Sequence, residues 1–125
     1  VDPARAQALA DNLNQHFGAP RALAGSDLAG ALGDAQGLVN TTPVGMAKLP
    51  GMPVPAELLR ADLWVAEVIY FPLETELLRQ ARALGCRTLD GGTMAVFQAV
   101  KAFELFSGVT ADAARMQAHF ASLGD

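Results

Sequence analysis

LWVAEVIYFPLETELLRQARALGCRTL, residues 63–89, changes its periodicity twice within one run. Leu63 to Tyr70 is β-branched, aromatic and nearly all apolar, as a strand covered on both faces should be. Glu74 to Leu84 repeats Leu77, Leu78, Ala81 and Leu84 on one helical face, and Gly85 is its stop. Arg87 to Leu89 returns to a short strand. The stretch therefore predicts a strand, a helix and a second strand.

The same alternation extends outward. Downstream, Thr93 to Phe106 reads as a long helix ended by Ser107-Gly108, crowded with Val96, Val100, Phe103 and Phe106. Thr110 or Asp112 starts a last helix with Ala113, Met116, Phe120 and Leu123 on its apolar side. Upstream, Gly37 to Asn40 is a strand, residues 47–55 form a loop with three prolines and a glycine, and Pro55 to Leu59 is a single helical turn. Asp2 caps a helix with Pro3 in its first turn, and Ala6, Leu9, Ala10, Leu13 and Phe17 follow before Gly18 stops it. Pro20 to Ala24 is expected to be a short strand, and Ser26-Asp27 to cap a small helix through Leu32. Strands alternating with helices predict an α/β fold, a mostly parallel sheet with flanking helices and right-handed crossovers.

Composition narrows the function classes. The 125 residues suffice for one domain with a modest core, and 51% hydrophobic against 18% charged residues means a globular chain. The net charge of −4 and scattered Lys and Arg argue against nucleic acid as a partner. No apolar run approaches the roughly 18 residues of a membrane span, and no signal peptide is visible, so a cytoplasmic protein is expected. The single Cys86 excludes an internal disulfide framework and a multi-cysteine metal site, and no metal is expected.

In an open α/β sheet, ligands bind outside the carboxyl ends of the strands. Three segments hold that position. Asn40-Thr41-Thr42-Pro43-Val44-Gly45 is neutral, with two hydroxyls, a stiffening proline and a glycine. Such a rim suits a flat, amide-bearing ligand, and it also reads as an ordinary strand-to-loop turn. Tyr70 to Thr75 puts a tyrosine hydroxyl at the sheet edge, to meet a polar substrate group or simply to stay wet. Glu74 and Thr75 read as helix caps. Asp90-Gly91-Gly92-Thr93 precedes a helix, where glycines let N–H groups approach a ligand. Gln98 lies one turn beyond Met94, as a ligand-binding amide or an idle half-exposed one. His16 and His119 read as surface residues, Cys86 as a small core residue, and Glu67 as a buried carboxylate with a structural role that needs hydrogen-bond partners.

Taken together, these segments resemble the C-terminal half of the shikimate and quinate dehydrogenase family. The resemblance rests on Asp2-Pro3-Ala4-Arg5-Ala6, Asn40-Thr41-Thr42-Pro43-Val44-Gly45-Met46, Tyr70-Phe71-Pro72-Leu73-Glu74-Thr75, Asp90-Gly91-Gly92-Thr93-Met94 with Gln98, and Phe103-Glu104-Leu105-Phe106-Ser107-Gly108, in that order. It implies a Rossmann-like sheet and an NAD(P)-dependent interconversion of 3-dehydroshikimate and shikimate, or dehydroquinate and quinate, within the shikimate pathway of aromatic amino acid biosynthesis. It also implies roles for individual residues. Thr42 contacts the cofactor, Val68 meets the nicotinamide through its backbone, Gly91 contacts the nicotinamide amide and Arg5 lies near the adenine ribose. Tyr70 and Gln98 bind substrate. Thr41 stands where the family usually has alanine, and Glu67 where it usually has aspartate.

A complete dinucleotide-binding domain opens with a strand and a G-x-G-x-x-G turn, which these residues do not contain. Residues 1–125 are accordingly expected to be a partial C-terminal NAD(P)-binding domain within a longer polypeptide. The catalytic lysine and aspartate would lie in an N-terminal substrate domain, toward which the terminal helix at about 110–125 would pack. The resemblance favours NAD over NADP, a homodimer is an allowed assembly, and the chain alone is expected to be inactive. The rival class is a non-catalytic, Rossmann-like nucleotide-sensing module, which an upstream sequence without a lysine-bearing domain and glycine-rich turn would favour.

Overall fold

The structure is a computed structural model that describes residues 2–123, so Val1, Gly124 and Asp125, at the ends of the expected domain and terminal helix, lie outside the described residues. The chain divides into two compact units, one ending at Asp34 and one starting at Ala35.

In the first unit, helix α1 spans Pro3–Phe17. The Asp2 carboxylate accepts from the Ala4 and Arg5 N–H groups, and Gly18 ends the helix at φ 61°, the left-handed conformation that glycine adopts without strain. The expected strand over Pro20 to Ala24 does not form. Asn14, on the last turn of α1, takes its backbone groups instead: Oδ1 accepts from the Arg21 and Ala22 N–H at 2.6 and 2.8 Å, and Nδ2 donates to the Ala22 carbonyl at 2.8 Å. Those groups are no longer available to a ladder. Helix α2, Leu28–Asp34, follows Asp27, whose carboxylate accepts from the Gly30 N–H at 3.0 Å.

The second unit is a three-stranded parallel sheet ordered β1 (Gly37–Asn40), β2 (Trp64–Glu67), β3 (Arg87–Leu89). Gly37 pairs with Trp64 and Asn40 with Glu67, while Ala66 pairs with Leu89. Helix α3, Glu76–Ala83, buries Leu77, Leu78 and Ala81 completely, and Leu63 and Val65 bring the matching apolar surface from β2 and the residue before it. Each such leucine contributes roughly 1.5–3 kcal/mol by leaving water. Leu84, expected on that face, stays nearly half exposed because α3 ends before it. Helices α4, Gly91–Ser107, and α5, Ala113–Ser122, pack on one another. Val96 and Val100 are the buried apolar residues of α4, whereas Phe103 and Phe106 are exposed.

Several boundaries differ from the sequence expectation, three of them for a plain local reason. Strand β2 stops at Glu67 rather than Tyr70, because the Ile69 N–H donates to the Glu67 carboxylate at 3.3 Å and leaves the ladder. Helix α3 starts at Glu76, since Thr75 caps it by accepting from the Leu78 N–H at 3.3 Å. Helix α4 starts at Gly91, two residues early, because Asp90 is its cap. The last helix takes Asp112, not Thr110, as its cap. Among the described residues no helix is long and apolar enough to cross a membrane.

Candidate functional site

Parallel strands end together, and here the carboxyl ends of β1, β2 and β3 bring Asn40, Glu67 and Leu89 to one edge of the sheet. The loops that leave this edge carry the three segments singled out in the sequence.

The loop after β1 is wired through Asn40, which is 2% exposed. Its Oδ1 accepts from the Thr42 N–H at 3.0 Å and from the Thr42 hydroxyl at 2.7 Å. Its Nδ2 donates to the Val44 carbonyl at 2.9 Å and to Glu67 Oε2 at 3.1 Å. The Thr42 hydroxyl in turn accepts from the Val44 N–H at 3.2 Å; because its own proton is given to Asn40 Oδ1, it faces any ligand as an acceptor. Thr41 and Pro43 are exposed. Gly45 is buried at φ 112°, a conformation that disfavours side chains, and a Cβ there would press on Ile69 and Thr75. The Gly45 N–H closes the loop on the Leu49 carbonyl at 2.8 Å.

Glu67 is the common partner of the site. It is 3% exposed, and its carboxylate accepts from Asn40 Nδ2, from the Thr75 hydroxyl at 3.1 Å and from the Ile69 N–H. The sequence shows a carboxylate within an apolar run and hence a need for donors. Which donors meet it depends on strand register and on the turn into α3.

Val68 donates its N–H to the Asn40 carbonyl at 3.2 Å, and among the described residues its own carbonyl has no hydrogen-bond partner. Gly91 is buried directly against this segment: an added Cβ would collide with the Ile69 carbonyl and come within 2.7 Å of the Val68 carbonyl oxygen. Val68 and Gly91, distant in sequence, are thus adjacent at the strand ends. As the first residue of α4, Gly91 carries an N–H without an intrahelical partner. The next N–H, of Gly92, is taken by the Asp90 carboxylate at 3.0 Å. Arg82 steadies this corner, reaching Glu74 at 2.6 Å, the Thr88 hydroxyl at 3.1 Å and Asp90 at 4.0 Å.

Tyr70 is 54% exposed just beyond β2, and the Phe71–Pro72 peptide that follows is cis. Gln98 is exposed on α4. Among the described residues neither side chain has a hydrogen-bond partner, so both are available to a ligand. Arg5 belongs to the first unit, exposed on the first turn of α1 and 3.8 Å from Asp2. His16 and His119 are exposed, Cys86 is buried with its thiol on the Arg60 carbonyl at 3.1 Å, and the described residues hold no cluster of metal ligands. An apolar groove of about 660 Å³ between α4 and α5, lined by Phe103, Met116 and Phe120, contains none of the residues to which the resemblance gives a cofactor or substrate role.

No family model matches the chain. It is 63% identical over 123 residues to a shikimate dehydrogenase (NADP(+)) of Streptomyces avermitilis, covering 97% of this chain and 42% of that protein. It is 52% identical over 126 residues to a quinate/shikimate dehydrogenase (NAD(+)) of Corynebacterium efficiens, covering 98% of this chain and 44% of that one. Among solved structures, quinate dehydrogenase from Corynebacterium glutamicum in complex with NAD superposes with a TM-score of 0.89 at 46% identity, over 97% of this chain and 44% of the other. The chain therefore spans less than half the length of the relatives it matches.

Proposed function

We propose that this chain belongs, over the residues it spans, to the shikimate/quinate dehydrogenase family, and that it forms the nicotinamide-side wall of an NAD(P)-dependent enzyme interconverting a hydroxylated cyclic acid, shikimate or quinate, with its ketone. The observation that carries the reading is the adjacency of Val68 and Gly91 beside the neutral loop at Asn40–Gly45. Among the described residues neither the Val68 carbonyl nor the Gly91 N–H has a hydrogen-bond partner, and they offer one acceptor and one donor, the complement of a primary carboxamide. The loop brings no charged side chain, and Thr42 presents an acceptor oxygen.

When bound, the nicotinamide supplies the hydride acceptor or donor. The residues of this chain bind and orient. Thr42, Val68 and Gly91 would hold the ring, and Tyr70 and Gln98 would hydrogen-bond substrate hydroxyl or carboxylate groups. The lysine and aspartate that move the proton belong to an N-terminal substrate domain of the full-length protein.

The test is a steady-state assay of the full-length protein with NAD and NADP against shikimate and quinate. Gln98→Ala is expected to raise KM for the hydroxylated acid by about 3- to 10-fold, the worth of one hydrogen bond, with KM for the cofactor unchanged. An unchanged substrate KM would remove Gln98 from the site. No turnover of either acid with either cofactor would overturn the function itself.

A further inference from the structure

We infer that Glu67 is a positioning residue for cofactor binding: buried between the end of β1, the end of β2 and the start of α3, its carboxylate fixes the orientation of the Asn40 amide and through it the Thr42 wall. The inference rests on the reading of that wall as the nicotinamide side of the site.

The argument is one of donors and acceptors. An asparagine amide has two faces, and in isolation either could turn toward Thr42. Here the choice is forced. One face of Asn40 meets Glu67 Oε2 and the Val44 carbonyl, both acceptors, so the NH2 group must lie there. The other face meets the Thr42 N–H, which requires the Asn40 oxygen. With that oxygen in place, the Thr42 hydroxyl donates to it and turns its remaining acceptor capacity outward. A carboxylate is the side chain that holds this arrangement most firmly, because it accepts at every position and its charge strengthens each bond. Burying that charge is costly, and three converging donors offset the cost: Asn40 Nδ2, the Thr75 hydroxyl and the Ile69 N–H. Glutamine at this position would always turn an NH2 group toward one of them. The same carboxylate also braces the cap of α3 through Thr75, so a stability effect and a binding effect share one residue and must be separated by experiment.

The experiment measures NAD(P) affinity by titration, together with thermal stability, for the full-length protein and three variants. Glu67→Gln is expected to weaken cofactor binding about tenfold, and Glu67→Asp, which keeps the charge and both acceptors on a shorter stem, by about two- to threefold. In turnover, Glu67→Gln should raise KM for the cofactor while kcat and KM for the acid stay within about twofold. Thr75→Val removes the other arm of the same hub, and should lower thermal stability with cofactor affinity unchanged. Equal affinity in Glu67→Gln and the unsubstituted protein overturns the inference, as does equal weakening in Thr75→Val. Should Glu67→Gln not fold, the comparison rests on Glu67→Asp and Thr75→Val, and equal affinity in those two is the overturning result. An unsubstituted protein that binds neither NAD nor NADP would instead overturn the function proposed above, so the two failures are distinct.

Discussion

At Gly91 a single missing carbon atom decides how the molecule is assembled. A methyl group there would run into the backbone of Val68 and Ile69, which cannot swing aside as a side chain can. Gly91→Ala should therefore cost about 1–3 kcal/mol of stability, read as a lower denaturation midpoint. Gly92→Ala meets the side chains of Leu73, Phe120 and Asp90 rather than backbone, and should cost less in the same measurement. The sequence makes both glycines conspicuous but gives only part of the reason for them. Two glycines before a helix read as open access to N–H groups, but both lie inside α4, and the first also lets the helix pack on the Val68–Ile69 backbone just beyond β2. Asn40 and Thr42 were more legible, since an Asn-Thr-Thr-Pro run forms a side-chain-bonded turn by local rules. That the Thr42 proton is spent inside the turn depends on Glu67, which arrives from another strand.

Elements set by local chemistry were readable, and those needing a partner were not. Asp2, Asp112 and Gly108 mark helix ends where the pattern puts them, because a cap bonds to residues two to four away. Asp112→Ala should cost about 0.5–2 kcal/mol, since the Arg115 N–H loses its acceptor, measured by thermal unfolding. The segment Pro20 to Ala24 has strand-like residues, but a strand requires a ladder, and Asn14 has claimed its backbone groups. The turn between α4 and α5 adds a pH dependence. A hydrogen bond from Lys101 and another from the Ala111 N–H hold the Glu104 carboxyl below its ordinary value of 4.5. The folded chain thus favours the charged form. Its contribution is fully present above the ordinary carboxylate value and is lost as pH falls through the lowered folded one. Glu104→Gln removes that contribution, so its melting temperature should fall less than that of the unsubstituted chain between about pH 6 and pH 3. An identical fall would show that the turn does not sense acid.

For the whole molecule, the sheet has one face well covered and one face bare. Strand register puts Val39, Ala66 and Leu89 in one row and Gly37, Trp64 and Arg87 in the next, on the same side. Val39 is 46%, Trp64 39% and Leu89 58% exposed, although parallel sheets are normally covered on both faces. The 125-residue chain on its own should therefore bind more of a hydrophobic dye per molecule than the full-length protein, and equal binding would contradict this. Purified alone, it should also show no NAD(P)-dependent oxidation of shikimate or quinate, because the proposed proton-transfer residues lie outside it. Detectable turnover would refute that. The α/β class and the three strand-end segments were visible in the sequence because alternation and turn chemistry are local. The bare face was not, because it depends on which neighbours each strand meets. The capping of α4 by Asp90 has a further consequence. Helix starts commonly welcome phosphate, but this one already holds a carboxylate of its own. A dinucleotide laid with its pyrophosphate at this corner would meet like charge, whereas its uncharged carboxamide would not. Under the function proposed above, this corner would favour the carboxamide end of the dinucleotide over its pyrophosphate.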